Sequence, residues 1–368
     1  MTKAERQAYQ QELRLAAKRL GLAAHGDMET AIVNHAVGKV RAWISAHGQP
    51  SNLSDLLELV ATSLNLEIAE IHSDADLNAL LQRIPPNREP VLARLANELD
   101  DKTDAIILQL QHRQAWERPY LAAINCRGWH SFRKYFSKWH EVVHLLLDGA
   151  QLRFAFRTTH VKRKHPEEVL VDKIAGVLAF YPDLFDPVLD EELQRGGRLT
   201  FAVVDRVRSR VAPDASRHAA VLACVRGCQE AVYFIRAGLG FNRSEKHMLE
   251  DSLPFPSDEQ NSPVAKLRVR ETTANSAAQA LGIRIHHNMQ IPAGSIAATA
   301  FDHPTRSVQS GSELLETWRT SQSGPVGRGQ VEVEALRGGD EVWCLVTPAT
   351  VRSSRQSVGA VPQHFNRA

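Results

Sequence analysis

Apolar positions recur along this chain in two rhythms, one helical and one of strands. Over residues 28–47, Ile32, Val33, Ala36, Val37, Val40 and Trp43 return at intervals of three and four, which paints one face of a helix. Pro50-Ser51-Asn52 breaks it, and Leu56, Leu57, Leu59, Val60 and Leu64 repeat the spacing over 53–64. A charged helix precedes both, over 4–20, ending near Gly21. Residues 66–71 alternate instead (Leu-Glu-Ile-Ala-Glu-Ile) and predict a short strand. A helix over 77–84 stops at Pro85-Pro86, and another is expected over 89–99. Two apolar runs, 104–110 and 119–125, have strand length, and the polar 111–118 between them predicts a hairpin.

The next helix is broadly apolar: Phe132, Tyr135, Phe136, Val142, Val143, Leu145, Leu146 and Leu147, with Ser131 as its expected cap and Asp148-Gly149 as its stop. Residues 151–159 alternate like a strand. Pro166 opens a further helix, with Glu167 and Glu168 at the positive end of its dipole. The acidic stretch 182–194, with its prolines, reads as a connector. Thr200 caps a helix over 201–211, Ser216 caps another to about 227, and 230–236 is strand-like. Beyond a Pro-rich linker near 254–263, strands are expected at 266–271, 283–291, 295–301, 330–336 and 341–347. Arg337-Gly338-Gly339-Asp340 joins the last two as a hairpin, and 312–318 is expected to be helical.

The chemistry concentrates in the helix near 140. His140-Glu141-Val142-Val143-His144 reads H-E-x-x-H. Residues four apart share a helix face, so both imidazoles aim at one point, where zinc takes nitrogen at about 2.0–2.1 Å. Glu141 lies about 100° further round. There it suits the general base that serves the open metal position. Chance produces this motif in roughly 4 chains in 100 of such makeup, so a third ligand is needed to carry the reading. Glu168 supplies one, and Asp172, one turn on, stands where a carboxylate can orient a ligating histidine.

With these residues in place, the chain resembles the ImmA/IrrE group of metallo-endopeptidases. The resemblance covers about residues 28–245 and rests on three patterns. One is Ala122-Ala123-Ile124-Asn125, then Phe136-Ser137 and the H-E-x-x-H with its Leu-rich tail. Another is Glu168-x-x-Val171-Asp172-x-Ile174-Ala175 closed by Pro182. The third is the helix-turn-helix-like stretch from about Gly197 to Ala237. It implies His140, His144 and Glu168 as metal ligands and Glu141 as the base. It departs from the family at Trp139, where Ala is usual, at Val143, where Gly is common, and by one extra residue before Pro182. In zinc peptidases of this general build an edge strand beside the active helix holds substrate by strand addition, a role open to the strands at 104–110 and 119–125.

The remaining residues bound the picture. His160 and His165, in the basic run His160-Val-Lys-Arg-Lys-His165, are candidates to stabilise a transition state near the metal. His25, His35, His47 and His72 have no ligand spacing, and the adjacent His286 and His287 face opposite sides of a strand. Cys224 and Cys228 read as buried thiols. Arg206, Arg208, Arg210, Arg217 and Arg226 give the middle region a basic tint, but its second helix is too apolar to favour direct DNA reading. Net charge is +2, four cysteines do not form a secretory framework, and neither a leader segment nor an 18-residue apolar run is seen. The expectation is a cytoplasmic α+β protein without a membrane span.

Its expected parts are an N-terminal helix (1–27), a mostly helical zincin-like peptidase domain with a small sheet (28–185), a helix-turn-helix-like domain (186–252), a linker (253–263) and a β-rich, GAF-like sensor domain (264–368). The expected function is restricted zinc-dependent cleavage of a helix-turn-helix transcriptional repressor in a stress or mobile-element response, with manganese as an alternative metal. The alternative is a non-catalytic zinc-containing regulator that binds DNA or a repressor.

Overall fold

The computed structural model describes residues 3–23, 26–92, 95, 98–148, 154–158, 165–251, 263–303, 307–320 and 324–349. The chain is a mixed α+β protein in two compact units, 1–228 and 229–368. No described helix is long and apolar enough to cross a membrane.

The first unit begins with α1 (Lys3–Arg19), α2 (Met28–His47) and α3 (Leu53–Ser63). Asp27 and Asn52 cap α2 and α3 by accepting backbone N–H groups. Next come β1 (Leu66–Ile71), α4 (Asp74–Arg83), β2 (Thr103–Gln109) and β3 (Tyr120–Asn125). A 3-10 turn at Gly128–Phe132 leads into α5 (Lys134–Asp148), followed by β4 (Phe154–Thr158) and α6 (Pro166–Leu178). The unit closes with α7 (Pro182–Gly196), α8 (Phe201–Val211) and α9 (Arg217–Gly227).

Its sheet has the order β1-β3-β2-β4. β2 and β3 form the expected hairpin, with Ile107 opposite Ala122, and β1 runs parallel to β3. Ile106, Leu108, Leu121 and Ala123 pack with Leu77, Leu80 and Ile84 on one face. Alternate residues Ala105, Ile107, Ala122 and Ile124 turn to the other face and are equally buried. Burial on both faces is why these strands read as unbroken apolar runs. It also corrects the substrate-strand expectation: β2 and β3 are interior, and the edges are β1 and β4.

Three local readings near the site change. Ser131 does not cap α5; it belongs to the 3-10 turn, where its Oγ donates to Gly128 O at 2.7 Å. Phe132 is no part of the helix's apolar face and is 74% exposed. The supposed connector 182–194 is the helix α7: Pro182 sits in its first turn and Pro187 is held inside. The proline pair hid the amphipathic rhythm of Phe185, Leu189 and Glu192, all of them buried.

The second unit is built on a five-stranded antiparallel sheet, order β6-β5-β11-β10-β7. Its elements are β5 (Tyr233–Gly240), α10 (Arg243–Asp251), β6 (Lys266–Ala274), α11 (Ser276–Ala280), α12 (Ile296–Asp302), β7 (Val308–Leu314), the short pair β8 (Arg319–Thr320) and β9 (Gly324–Pro325), β10 (Gln330–Gly338) and β11 (Glu341–Pro348). Tyr233, Ile235, Val333, Ala335, Cys344 and Trp318 centre its core. The expected strand at 295–301 is helix α12, capped by Ser295 Oγ accepting from Ala298 N. The expected helix at 312–318 is the end of β7 plus a 3-10 turn at Leu315–Thr317. Residues 283–291 make one isolated bridge, Arg268 with Gln290, rather than a strand. The linker expected at 253–263 lies almost entirely outside the described residues.

Candidate metal centre

α5 places its residues by periodicity. Tyr135, Trp139, Val142, Val143 and Leu146 are buried, and the helix packs on β2, β3 and α6. Lys134 and Lys138 both reach Glu70 of β1. Burial pushes the Glu70 carboxyl up, but the two ammonium groups outweigh it and bring its pKa to about 2. These contacts tie α5 to β1, and the stripe Phe136, His140, His144 faces α6. There it meets the stripe Glu168, Asp172, Gly176 of α6.

The two stripes converge tightly. His140 Nε2 lies 3.1 Å from His144 Nε2 and 3.0 Å from Glu168 Oε2. His144 Nε2 lies 3.4 Å from Glu168 Oε1. A tetrahedral ion with bonds near 2.0 Å has edges of about 3.3 Å, so these spacings match three corners of one coordination shell. The proton arithmetic leads the same way. Asp172 Oδ1 sits 3.0 Å from His140 Nδ1 and accepts its proton. The tautomer that donates Nδ1–H to Asp172 leaves the Nε2 lone pair on the side of Glu168 and His144, where a metal would sit. Burial pushes the Glu168 carboxyl up, but its bonds and attraction to His140 and His144 prevail and hold it well below the usual carboxylate range. His140 and His144 are buried, whereas the Glu168 side chain keeps 27% of its surface exposed. These residues can hold a metal ion.

Glu141, next in the chain to His140, is buried at 1% exposure in the same helix. His165 lies outside the cluster: it is exposed at the start of α6, with Nδ1 4.0 Å from Glu167 Oε2. His160 lies outside the described residues.

A second group, Glu70, His72 and Cys126, also has donor atoms within 4.8 Å of one another. Spacing in the sequence gave no hint of it, because β1 and β3 bring it together across the sheet. Its negative charge is already met by Lys134 and Lys138, and burial and then Glu70 push the Cys126 thiol up to about 11. That environment disfavours the thiolate a metal needs.

The arginines of the middle region are mostly spent within it. Arg206 Nε binds Glu192 at 2.6 Å, Arg210 reaches Glu191 and Glu192, Arg217 reaches Asp205, and Arg208 donates to the carbonyls of Pro213 and Ala215. Cys224 and Cys228 are buried free thiols.

No model of a known protein family matches the chain, and no curated protein matches it in sequence.

Proposed function

We propose that the chain is a zinc-dependent endopeptidase of the ImmA/IrrE kind, with its first unit serving as a zincin-like catalytic domain and a helix-turn-helix repressor as its substrate. The observation that carries this reading is the convergence of His140 Nε2, His144 Nε2 and Glu168 at tetrahedral-edge spacing, on a helix whose next residue after His140 is a buried glutamate. The nitrogen and carboxylate donors suit zinc, and manganese accepts the same set. When bound, the metal polarises a scissile carbonyl and lowers the pKa of attacking water toward about 7. Glu141 takes the proton of that water and passes it to the leaving amine. Asp172 holds the proton of His140 Nδ1, which fixes the tautomer that leaves Nε2 available for the metal.

The test has two stages. Elemental analysis of the purified chain should find close to one zinc, and Glu168→Ala should lose most of it. The zinc-loaded chain is then mixed with a helix-turn-helix repressor encoded beside its gene. Discrete metal-dependent fragments that disappear in Glu141→Gln, with metal content unchanged, support the enzyme. Full cleavage by Glu141→Gln would sink the role given to that residue. Complex formation or a DNA shift without any cutting would favour a regulator that keeps its metal for structure.

A further inference from the structure

Arg226 of the middle region makes no carboxylate contact among the described residues, and it lies against α6 two helical turns from Glu168. Arg226, in the last turn of α9, donates from Nε to Leu222 O at 3.2 Å, its one hydrogen bond among the described residues. Its guanidinium extends to α6: a Cβ built on Gly176 would lie 3.5 Å from Arg226 Nη1 and 4.0 Å from Phe136 Cε2. Phe136 and Gly176 are the next members of the two stripes that hold the metal cluster, one turn beyond His140 and Asp172. The residue is solvent-exposed, with its guanidinium lying over Gly176 and Phe136. Glu168, Asp172 and Gly176 are all partly exposed, so the seam between α5 and α6 is open along this line.

The distances set the register. Eight residues of helix separate Glu168 from Gly176, roughly 12 Å at 1.5 Å per residue. An extended peptide advances about 3.3 Å per residue, so that span covers about three or four residues. Resting on the reading of the cluster as a peptidase centre, we propose that Arg226 is a specificity residue. It takes a carboxylate of an extended peptide about three or four residues from the bond held at His140, His144 and Glu168. A planar guanidinium binds a carboxylate through two parallel hydrogen bonds, which suits a side-chain Asp or Glu or a peptide's terminal carboxylate.

The probe is a set of fluorescein-labelled, C-amidated decapeptides in a neutral background, each with a single Glu at a different position, and the matching Gln peptides. Binding is read by fluorescence anisotropy on the zinc-loaded full chain carrying Glu141→Gln, and cleavage on the wild type. Glu at one register should bind about tenfold or more tighter than Gln, as expected for a charge-assisted pair. Arg226→Gln should erase that difference. Arg226→Glu should turn the preference to Lys at the same position, a gain that misfolding cannot produce. A matching gain from an unamidated C-terminus placed at that register would identify the terminal carboxylate as the source. Equal binding of Glu and Gln peptides, no binding of either, or a preference that survives Arg226→Gln overturns the proposal. Cleavage without an acidic preference removes the Arg226 role and leaves the peptidase reading standing. An Arg226-dependent preference without cleavage does the reverse.

Discussion

Replacing Asp172 by alanine removes the carboxylate that holds His140 Nδ1 at 3.0 Å while leaving the three metal donors in place. Two losses follow. His140 can rotate or take the other tautomer, which points N–H at the metal position, and its Nε2 becomes less basic. Loss of such an outer partner typically weakens metal affinity 10–100-fold, equivalent to about 1.4–2.7 kcal/mol. Glu168→Ala deletes a ligand outright and should cost more. Competition with a chromogenic zinc chelator gives the affinities directly. A second readout is thermal: at saturating metal, binding stabilises by RT ln(1 + [L]/Kd), so the zinc-induced rise in Tm should shrink by the same 1.4–2.7 kcal/mol, about 3–11 °C for a unit of this size. An unchanged affinity in Asp172→Ala would refute the orienting role. A loss as deep as that of Glu168→Ala would make Asp172 a ligand rather than a support.

Three further outcomes are expected. Glu141→Gln should lower cleavage about 10²–10⁴-fold with zinc content intact, measured by single-turnover gel assay. The Glu70 clamp should show in acid: its pKa is lowered from an ordinary 4.5 to about 2, so its stabilisation is complete above about 4.5 and is lost as pH falls toward 2. The shift corresponds to about 3 kcal/mol at most, reduced by solvent screening of a partly exposed pair. Urea denaturation at stepped pH should find this slope flattened in Glu70→Gln; an identical slope would discount the clamp. Finally, His130 is buried between Asp104, 2.9 Å from Nδ1, and Asp101 O, 3.0 Å from Nε2. His130→Ala takes a partner from a buried carboxylate and should cost about 3–5 kcal/mol by urea titration; a loss below about 1 would mean that Arg133, 3.2 Å from Asp104, suffices alone.

The centre was readable where its logic is local. Helical periodicity alone pairs His140 with His144 and Glu168 with Asp172, and the structure brings the four together. The acidic first turn and Pro166 marked the start of α6 correctly. What could not be read depends on distant contacts. Glu70 is a strand residue with no local signal of the two lysines it holds, and Arg226 shares a basic tint with four arginines that pair with carboxylates or carbonyls of their own region. Pro187 concealed α7 because a proline usually ends a helix, whereas here Phe185 and Leu189 supply burial enough to keep it. The Ala-rich 295–301 reads as a strand although Ser295 offers a cap, because seven residues are too few for periodicity to separate helix from strand.

The all-round burial of α5 also sets a kinetic regime. Residues 139–147 are buried on every side of the helix, including both imidazoles, so the amide protons there should exchange with solvent only through large-scale opening of the unit. Two donors thus sit on a part of the molecule that scarcely breathes, and the third, Glu168, sits at a solvent-touched seam in the first turn of α6. An ion held by the three would therefore meet solvent on the Glu168 side, so its exchange should respond to substitutions in the first turn of α6 more than to substitutions on the buried faces of α5.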